Sequence, residues 1–246
     1  MARFFLPRKQ IHGSVGNLDG PELEHLRKVL RLKTGERISV FDDAGWEHEA
    51  VIRSLSGTRG DIEILRSYPA PRKSPLHLTL AVGLTKGKKI DFVVEKATEL
   101  GVQRIIPFVS TYAVPKLDDR KIAARTERWR KIALSATKQS GRSEIPDISP
   151  LMTFADLMVH AQPQSVKLLC WEKETEQSFG QVHEKLRDAK DLLIVVGPEG
   201  GISLKEAELA RQQGFERVHL GRRILRAETA VITALSLAQF LWGDLA

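Results

Sequence analysis

The sequence predicts an α/β protein in two parts, a small N-terminal β-barrel followed by a larger domain with a parallel sheet. Residues 2–68 alternate short β-rich runs with turn signals, a spacing typical of a small barrel. From residue 76 onward, apolar runs alternate with helical patterns, which indicates a parallel sheet with crossover helices. Residues 70–75 contain two prolines and form the best linker. We therefore expect domains at 1–72 and 73–246.

Composition narrows the class of protein. A chain of 246 residues with 42% hydrophobic and 28% charged residues can bury a large core. The single cysteine, Cys170, excludes a disulfide within the chain and fits a reducing cytosol. The apolar N-terminal stretch is too short for a signal peptide, and no window reaches the length of a membrane span. We expect a soluble, cytoplasmic protein.

The net charge of +7 is concentrated in one segment. Residues 73–143 carry 15 Lys and Arg against 6 Asp and Glu, a balance of +9. The corresponding balances are +2 for residues 1–72 and −4 for residues 144–246. A charged run is usually a solvated face, but an excess held in one segment favours a polyanionic partner such as nucleic acid.

The N-terminal part is expected to contain four strands and one helix. The strands are predicted at 3–6, 37–41, 46–55 and 61–65. The helix is predicted over 21–30, with Pro21 at a position that favours proline. Helical geometry places three polar side chains together: His25, Lys28 and Arg31. Three apolar side chains of the same turns are expected to face inward: Leu26, Val29 and Leu30.

The C-terminal part is expected to contain five strands, at 76–84, 104–109, 166–171, 192–196 and 216–220. Helices are predicted from about 90 to Gly101 and over 119–140, each ended by a glycine. Ser203 and Glu206 have the spacing of a capping box, which predicts a helix start. Residues 224–242 are helical in composition and apolar nearly all round, which implies burial on most faces.

Two of these strands end at loops with the glycines that a ligand site needs. Residues 197–201 read GPEGG and residues 221–229 read GRRILRAET. Ligands bind at the carboxyl ends of strands in open α/β sheets, and glycine lets the main chain approach them. For GPEGG alone, a plain tight turn is about equally well supported, and neither the dinucleotide nor the nucleoside triphosphate fingerprint is present. The residues alone indicate a ligand loop without specifying the ligand.

GPEGG followed by LGRRILRAETA resembles the cofactor half of the SPOUT methyltransferases, and more narrowly the RsmE family. Four other stretches agree: RFF at 3–5, HLxxVLR at 25–31, KATELG at 96–101 and QSGR at 139–142. The chain departs from the family pattern at three positions: Glu36, Lys138 and Ile202. The resemblance implies S-adenosylmethionine-dependent methylation of uridine N3 in small-subunit (16S) ribosomal RNA. Methylation of a 2′-oxygen or another base, and an inactive RNA-binding assembly factor, remain open alternatives.

The resemblance also implies the fold and the binding residues. It predicts a SPOUT domain with a deep trefoil knot at 73–246, a PUA-like RNA-binding barrel at 1–72 and a homodimer. The expected cofactor contacts are Leu169, Cys170, Gly197, Gly200, Leu220, Gly221, Ile224, Leu225, Thr229 and Ala230. Core packing is an alternative for the Leu and Ile side chains among them, above all for Ile224. The RNA contacts that the resemblance implies in the barrel are Arg3, Arg8, His25, Arg27 and Arg31. The basic segment 73–143 adds five expected RNA contacts: Lys86, Lys88, Arg128, Lys131 and Arg142.

Methylation of uracil N3 requires loss of its proton, because N3 is mostly protonated at neutral pH. A general base, or a cation that stabilises the uracil anion, meets this need. Arg226 is the first candidate for the cation, and Glu228 and Glu199 are candidate bases or partners of the cofactor amine. Ion pairing that merely ties the chain together is the alternative for Arg226 and Glu228.

No metal site is expected, because the seven histidines are dispersed and lack a ligand spacing. Cys170 is expected to be a small buried residue and not a nucleophile.

Overall fold

A computed structural model of the protein describes residues 1–70, 74–85, 87, 89–111, 119–161 and 166–245. The chain divides into two compact units. The barrel unit comprises Met1–Arg72 and Thr137–Ile145, and the sheet unit comprises Lys73–Ala136 and Pro146–Ala246. Contacts within the chain thus assign 137–145 to the barrel unit, whereas the sequence pattern placed this segment after the linker.

The barrel unit contains a six-stranded sheet in the order β1-β4-β5-β6-β3-β2. Its strands are β1 (Arg3–Phe5), β2 (Ile11–His12), β3 (Val15–Leu18), β4 (Arg37–Phe41), β5 (Trp46–Leu55) and β6 (Gly60–Pro69). β1 pairs in parallel with β4, and the other pairs are antiparallel. The bounds of β4 and β5 are those predicted, whereas β6 is longer and β2 and β3 were not predicted.

The sheet of the barrel unit curls into a barrel. A Cβ atom at Gly16 of β3 would lie 2.7 Å from Leu6 Cδ2, and Leu6 directly follows β1. These strands are four positions apart in the sheet, about 19 Å if the sheet were flat. The enclosed core consists of Phe4, Leu6, Leu18, Leu26, Ile38, Val40, Ala50, Ile52 and Ile62. The predicted barrel is therefore confirmed.

The helix of the barrel unit differs from its prediction. An α-helical turn, α1 (Gly20–Glu24), continues into a π-helical turn at His25–Val29. Leu26 is fully buried, but Val29 is 67% exposed and Leu30 is 40% exposed. The prediction that all three face inward is thus wrong for two of them. The wider turn adds a residue per turn, which rotates the following side chains off the expected face.

The sheet unit is built on parallel strands in the order β10-β8-β7-β12-β11-β13, with β9 also paired to β8. The strands are β7 (His77–Gly83), β8 (Arg104–Val109), β9 (Asp147–Ile148), β10 (Met152–Thr153), β11 (Val166–Cys170), β12 (Asp191–Val196) and β13 (Glu216–Val218). The helices are α2 (Lys89–Glu99), α3 (Asp119–Ser140), α4 (Phe154–His160), α5 (Phe179–Lys185), α6 (Leu204–Gln212) and α7 (Ala227–Trp242). The last four residues of α3 belong to the barrel unit.

Helices cover both faces of the parallel sheet. The central strands β7 and β12 are buried along almost their whole length, as expected for apolar runs with no polar face. One face carries α4 and α6, whose side chains share a core with Leu169, Leu193 and Val195. On the other face α7 packs against β12, α2 and α5. The predicted α/β class with a parallel sheet is confirmed, and the trefoil knot stays a prediction.

Local signals placed some helix ends correctly and others not. Ser203 caps α6 as predicted: its N–H donates to Glu206 Oε2 at 2.9 Å, and Glu206 N–H donates to Ser203 Oγ at 3.2 Å. Helix α7 starts at Ala227, three residues later than predicted, because Arg226 is extended at its N-cap. Two helices, α4 and α5, were not predicted. None of the helices formed by the described residues has the length and apolarity to cross a bilayer.

Candidate functional site

A cavity of about 500 Å³ opens at the carboxyl ends of β11, β12 and β13. Its walls are the strand-end segments 170–172, 196–201 and 219–225. The first turn of α7 and Lys89, at the start of α2, complete the lining. This is the edge of a parallel sheet where ligands bind in open α/β folds.

The 197–201 loop has a shape that depends on glycine. Gly201 N–H donates to Pro198 O at 2.9 Å, which closes a tight turn. Gly201 has a φ of +73°, and the Glu172 carboxylate occupies the place where a Cβ atom would lie. A Cβ atom at Gly197 would lie 2.9 Å from Ile202 Cγ1. The loop therefore presents main-chain atoms to the cavity.

Trp171 forms a rigid part of the wall and was predicted only as a strand end. Its indole N–H donates to Ile202 O at 3.1 Å, and its main-chain N–H donates to Val218 O at 3.1 Å. The Arg217 guanidinium lies 5.3 Å from the ring centroid and pairs with Glu174 at 3.6 Å. These interactions join all three strand ends that form the cavity.

Lys89 brings the two candidate carboxylates together. Its Nζ lies 3.0 Å from Glu199 Oε1 and 3.8 Å from Glu228 Oε2. Glu228 is in the first turn of α7, where the helix dipole favours a negative charge. Its Oε2 is buried and has no hydrogen-bond partner among the described residues. Lys89 is thus a site residue that sequence reasoning missed.

Most of the predicted cofactor residues line the cavity: Cys170, Gly197, Gly200, Leu220, Gly221, Ile224, Leu225 and Ala230. The other two do not. Leu169 is fully buried in the core shared with α4 and α6, and Thr229 is exposed on α7. Of the catalytic candidates, Arg226 and Glu199 line the cavity, and Glu228 reaches it through Lys89.

The structure adds residues to this set: Lys89, Trp171, Glu172, Val196, Pro198, Gly201, His219, Arg222, Arg223 and Ala227. All except Lys89 lie within two residues of a predicted cofactor or catalytic residue, so proximity to the motif segments was an available signal. Lys89 is far from them in sequence, and only the fold brings it there.

The exposed fractions of Ile224 and Cys170 show whether each residue packs in the core. Ile224 is 86% exposed, so the core-packing alternative for it is wrong. Cys170 is 8% exposed, and burial raises the pKa of its thiol to about 12. The thiol is therefore protonated at neutral pH, which makes it a poor nucleophile.

Arg3, a predicted RNA contact, is hydrogen-bonded within the barrel unit. Its Nη1 donates to Arg142 O at 2.6 Å and to Thr137 O at 3.1 Å, and its Nη2 pairs with Glu47 Oε1 at 2.6 Å. The guanidinium also lies 4.1 Å from the Phe41 ring centroid, and the side chain is only 14% exposed. The Arg3 guanidinium holds 137–142 within the barrel unit, and few of its N–H groups remain for a ligand.

The other candidates in the barrel unit are more accessible. Arg8 is 57% exposed, 3.5 Å from Asp42. Arg27 is exposed, but its Nη1 donates to Ser56 O at 2.8 Å and to Gly57 O at 3.1 Å. The His25 ring is half-buried, its centroid 5.9 Å from that of Phe4, and Arg31 is exposed. Arg142 is half-buried.

In the sheet unit, Arg128 is 54% exposed and pairs with Asp91 at 2.5 Å, and Lys131 is exposed. Lys86 and Lys88 lie outside the described residues. Within the part of the chain that the structure describes, no group of three His, Cys, Asp or Glu side chains could hold a metal ion.

Two family models match the chain. The model described as RNA methyltransferase domain matches residues 72–239, and the model described as RNA methyltransferase PUA domain matches residues 18–65. The parallel sheet with its strand-end cavity and the separate barrel therefore have the architecture of an RNA methyltransferase with a PUA domain.

Full-length relatives narrow this class. The chain is 34% identical to ribosomal RNA small subunit methyltransferase E of Bacillus subtilis, over 96% of this chain and 95% of that protein. It is 31% identical to the Synechocystis protein of the same name, over 95% of this chain and 76% of that protein. A crystal structure of the Neisseria gonorrhoeae protein of this name, bound to S-adenosyl methionine, matches with a TM-score of 0.89 and 32% identity over 100% of both chains. The chain belongs to the ribosomal RNA small subunit methyltransferase E family.

Proposed function

We propose that the protein transfers a methyl group from S-adenosylmethionine to N3 of a uridine in small-subunit ribosomal RNA. The observation that carries this proposal is the cavity of about 500 Å³, lined by glycine-rich main chain at three strand ends. The Neisseria gonorrhoeae relative that shares this fold was crystallised with S-adenosyl methionine. The restriction to uridine N3 rests on the sequence resemblance.

The cavity fits the cofactor in size and in chemistry. Main-chain groups of 197–201 and 219–225 suit the adenine ring, and the apolar Leu220 and Leu225 side chains suit its faces. Glu172 and Glu199 supply negative charge for a cationic ligand, while Arg222 and Arg223 suit a carboxylate. When bound, S-adenosylmethionine supplies a methyl group on a positively charged sulfur.

The chain's own side chains would handle the proton and the charge of the uracil. Arg226 is exposed and lines the cavity, and its planar guanidinium would bind uracil oxygens and stabilise the N3 anion. Glu199 would accept the N3 proton, because its carboxylate lines the cavity and Lys89 holds it at 3.0 Å. Glu228 would keep Lys89 in place.

We further propose that the barrel unit binds RNA, that the protein acts in the cytoplasm and that it forms a homodimer through α7. Phe240 is 59% exposed on this helix, and Leu237, on the same stripe, is half-buried. Exposed apolar helix faces of this kind mark protein interfaces. Phe240→Ser should shift the sedimentation of the protein toward the monomer, and a wild-type monomer would contradict the dimer.

The test of the main proposal is methyl transfer to unmodified ribosomal RNA and to small subunits, with a labelled cofactor. Nucleoside mass spectrometry should identify N3-methyluridine. Label at a 2′-oxygen or on another base would assign a different methylation. Cofactor binding without label in either substrate would favour an assembly factor.

A further inference from the structure

Two apolar side chains at the end of the barrel-unit helix are exposed where a core position was predicted. Val29 is 67% exposed and Leu30 is 40% exposed, whereas Leu26 of the same turn is fully buried. We call Val29 and Leu30 the apolar tip. The π-helical turn that precedes it closes with Leu30 N–H donating to His25 O at 3.0 Å. Such turns occur frequently at functional sites.

The backbone after the apolar tip is strained. Arg31 has a φ of +55°, and no other non-glycine residue of the described chain has a positive φ. Leu32 N–H donates to Leu26 O at 3.1 Å and closes the helix end around it. Glycine is the usual residue at this kind of helix end, because it lacks a Cβ atom. Strained non-glycine residues cluster at functional sites, so we infer that the Arg31 side chain has a function.

The surroundings of the apolar tip are positively charged. Residues 27–33 contain four cations and no acidic residue: Arg27, Lys28, Arg31 and Lys33. Arg27 is bound to the carbonyls of residues 56 and 57, and Lys28 pairs with Glu24 at 2.7 Å. Arg31 and Lys33 are exposed, and neither side chain has an ion pair within the described residues. Their charge is available to a ligand.

We propose that the apolar tip packs on an unpaired base of single-stranded RNA, while Arg31 and Lys33 bind the flanking phosphates. Apolar surface next in the chain to two cations that form no ion pair matches a nucleotide, which has a flat apolar base and an anionic backbone. A single strand is required because base faces are hidden inside a duplex. This inference rests on the RNA-binding role proposed for the barrel unit and identifies the form of RNA bound there.

A protein partner fits the same surface less well. Stable protein interfaces bury about 800 Å² on each side and have aromatic or aliphatic centres. Two exposed aliphatic side chains in a segment with four cations form a surface that is too small and too highly charged for that. RNA is therefore the occupant that the charge favours.

The test separates the apolar contact from the phosphate contacts. Val29→Ser combined with Leu30→Ser removes apolar surface without changing charge, and Val15→Ser is the control, because Val15 is 43% exposed on β3 of the same unit. Binding of a labelled single-stranded RNA is measured by fluorescence anisotropy at several salt concentrations. We expect about tenfold weaker binding for the double variant with an unchanged salt slope, since stacking contacts are not ionic. The Val15 variant should bind like the wild type.

Arg31→Gly is the complementary variant. It should lower the magnitude of the salt slope by about 0.7, the value for one phosphate group bound on a single strand. Its melting temperature should equal or exceed that of the wild type, because glycine adopts the positive φ without strain.

Wild-type binding of single-stranded RNA by the double serine variant would overturn the proposal. A loss seen only with assembled subunits and not with naked RNA would assign the tip to a protein instead. These measurements need no methyl transfer, so a wild-type protein that binds as expected but transfers no methyl group would refute only the proposed reaction.

Discussion

The two units present ligand surfaces of different kinds. The cavity of the sheet unit is lined largely by main chain. A Cβ atom at Gly197 would lie 2.9 Å from Ile202 Cγ1, and Gly201 has a φ of +73° that favours glycine. The candidate RNA surface of the barrel unit consists of side chains, chiefly exposed cations and two aliphatic residues. Main-chain binding tolerates most side-chain changes but not an added Cβ atom, whereas side-chain binding weakens gradually and depends on salt.

The largest effect is expected from Arg226, the cavity residue for which a catalytic role is proposed. Arg226→Ala should retain binding of S-adenosylmethionine in calorimetry and lose about 10²–10³-fold in turnover, as for loss of a donor to a developing anion. Arg211→Ala is the control, because its guanidinium pairs with Glu208 on the surface at 2.7 Å. Normal turnover of the Arg226 variant would remove this residue from the mechanism.

The main-chain character of the cavity can be tested at Gly83, the last residue of β7. A Cβ atom there would lie 2.5 Å from Pro198 N, so Gly83→Ala should displace the 197–201 loop. We expect a loss of about 1–3 kcal/mol in stability and clearly weaker cofactor binding. Gly57→Ala adds the same atom where nothing lies within 4 Å and should be harmless. Thermal denaturation and calorimetry that show the same result for both variants would contradict this view.

Substitution of Lys89 tests whether an ion pair that positions the Glu199 carboxylate contributes to turnover in addition to main-chain binding of the cofactor. Lys89→Met should lower turnover about tenfold, because Glu199 loses the partner that orients it, and Lys89→Arg should restore part of the activity. A double-mutant cycle with Glu199→Gln should be non-additive, since the two residues form one ion pair. Lys96→Met is the matched control, because Lys96 pairs with Glu99 at 2.8 Å on α2. Additive losses would mean that Lys89 acts independently of Glu199.

RNA binding through the exposed cations of α3 should weaken as the salt concentration rises. Charge reversal of Arg128 and Lys131 should weaken RNA binding and lower the magnitude of its salt slope by roughly 0.7–0.9 for each phosphate group that the variant no longer binds. Lys131→Glu is the cleaner variant, since Arg128 already pairs with Asp91. Anisotropy titrations that show an unchanged slope would make these residues an ordinary solvated face.

An effect of Cys170 is expected only in alkali. The folded protein keeps this thiol protonated up to a pKa of about 12, whereas its usual pKa is 9.0. The unfolded chain therefore releases the proton first, and stability that is complete below pH 9 falls as pH rises toward 12. A loss on the order of 1 kcal/mol is expected by pH 10. Chemical denaturation at pH 8 and pH 10 should show a smaller loss for Cys170→Ala, and equal losses would contradict the assignment.

Sequence patterns predicted the elements whose signals are local. β4, β5, β8 and α3 have the predicted bounds, and the Ser203 capping box forms as expected. The short strands β2, β3, β9 and β10 were missed, because two to four residues carry too little periodicity. The inward direction predicted for Val29 and Leu30 failed, because a regular helix was assumed where the chain forms a π-helical turn.

The residues of the candidate site likewise divide into those that local sequence signals predicted and those that they did not. GPEGG and GRRILRAET were recognised because their residues are contiguous, and both segments line the cavity. The role of Lys89 was not predictable, because its partner Glu199 is 110 residues away in the chain. The hydrogen bonds of Arg3 were not predictable either, because Arg142 is 139 residues away.

From its sequence alone, this protein was determined to be an α/β chain with an N-terminal barrel, a parallel sheet and two glycine-rich ligand loops. Periodicity, turn residues and caps act over a few residues, so they can be read along the chain. The tertiary structure decided which charges are neutralised, which apolar side chains stay exposed and how three strand ends form one cavity. Those properties depend on atoms that only folding brings within a few ångströms of one another.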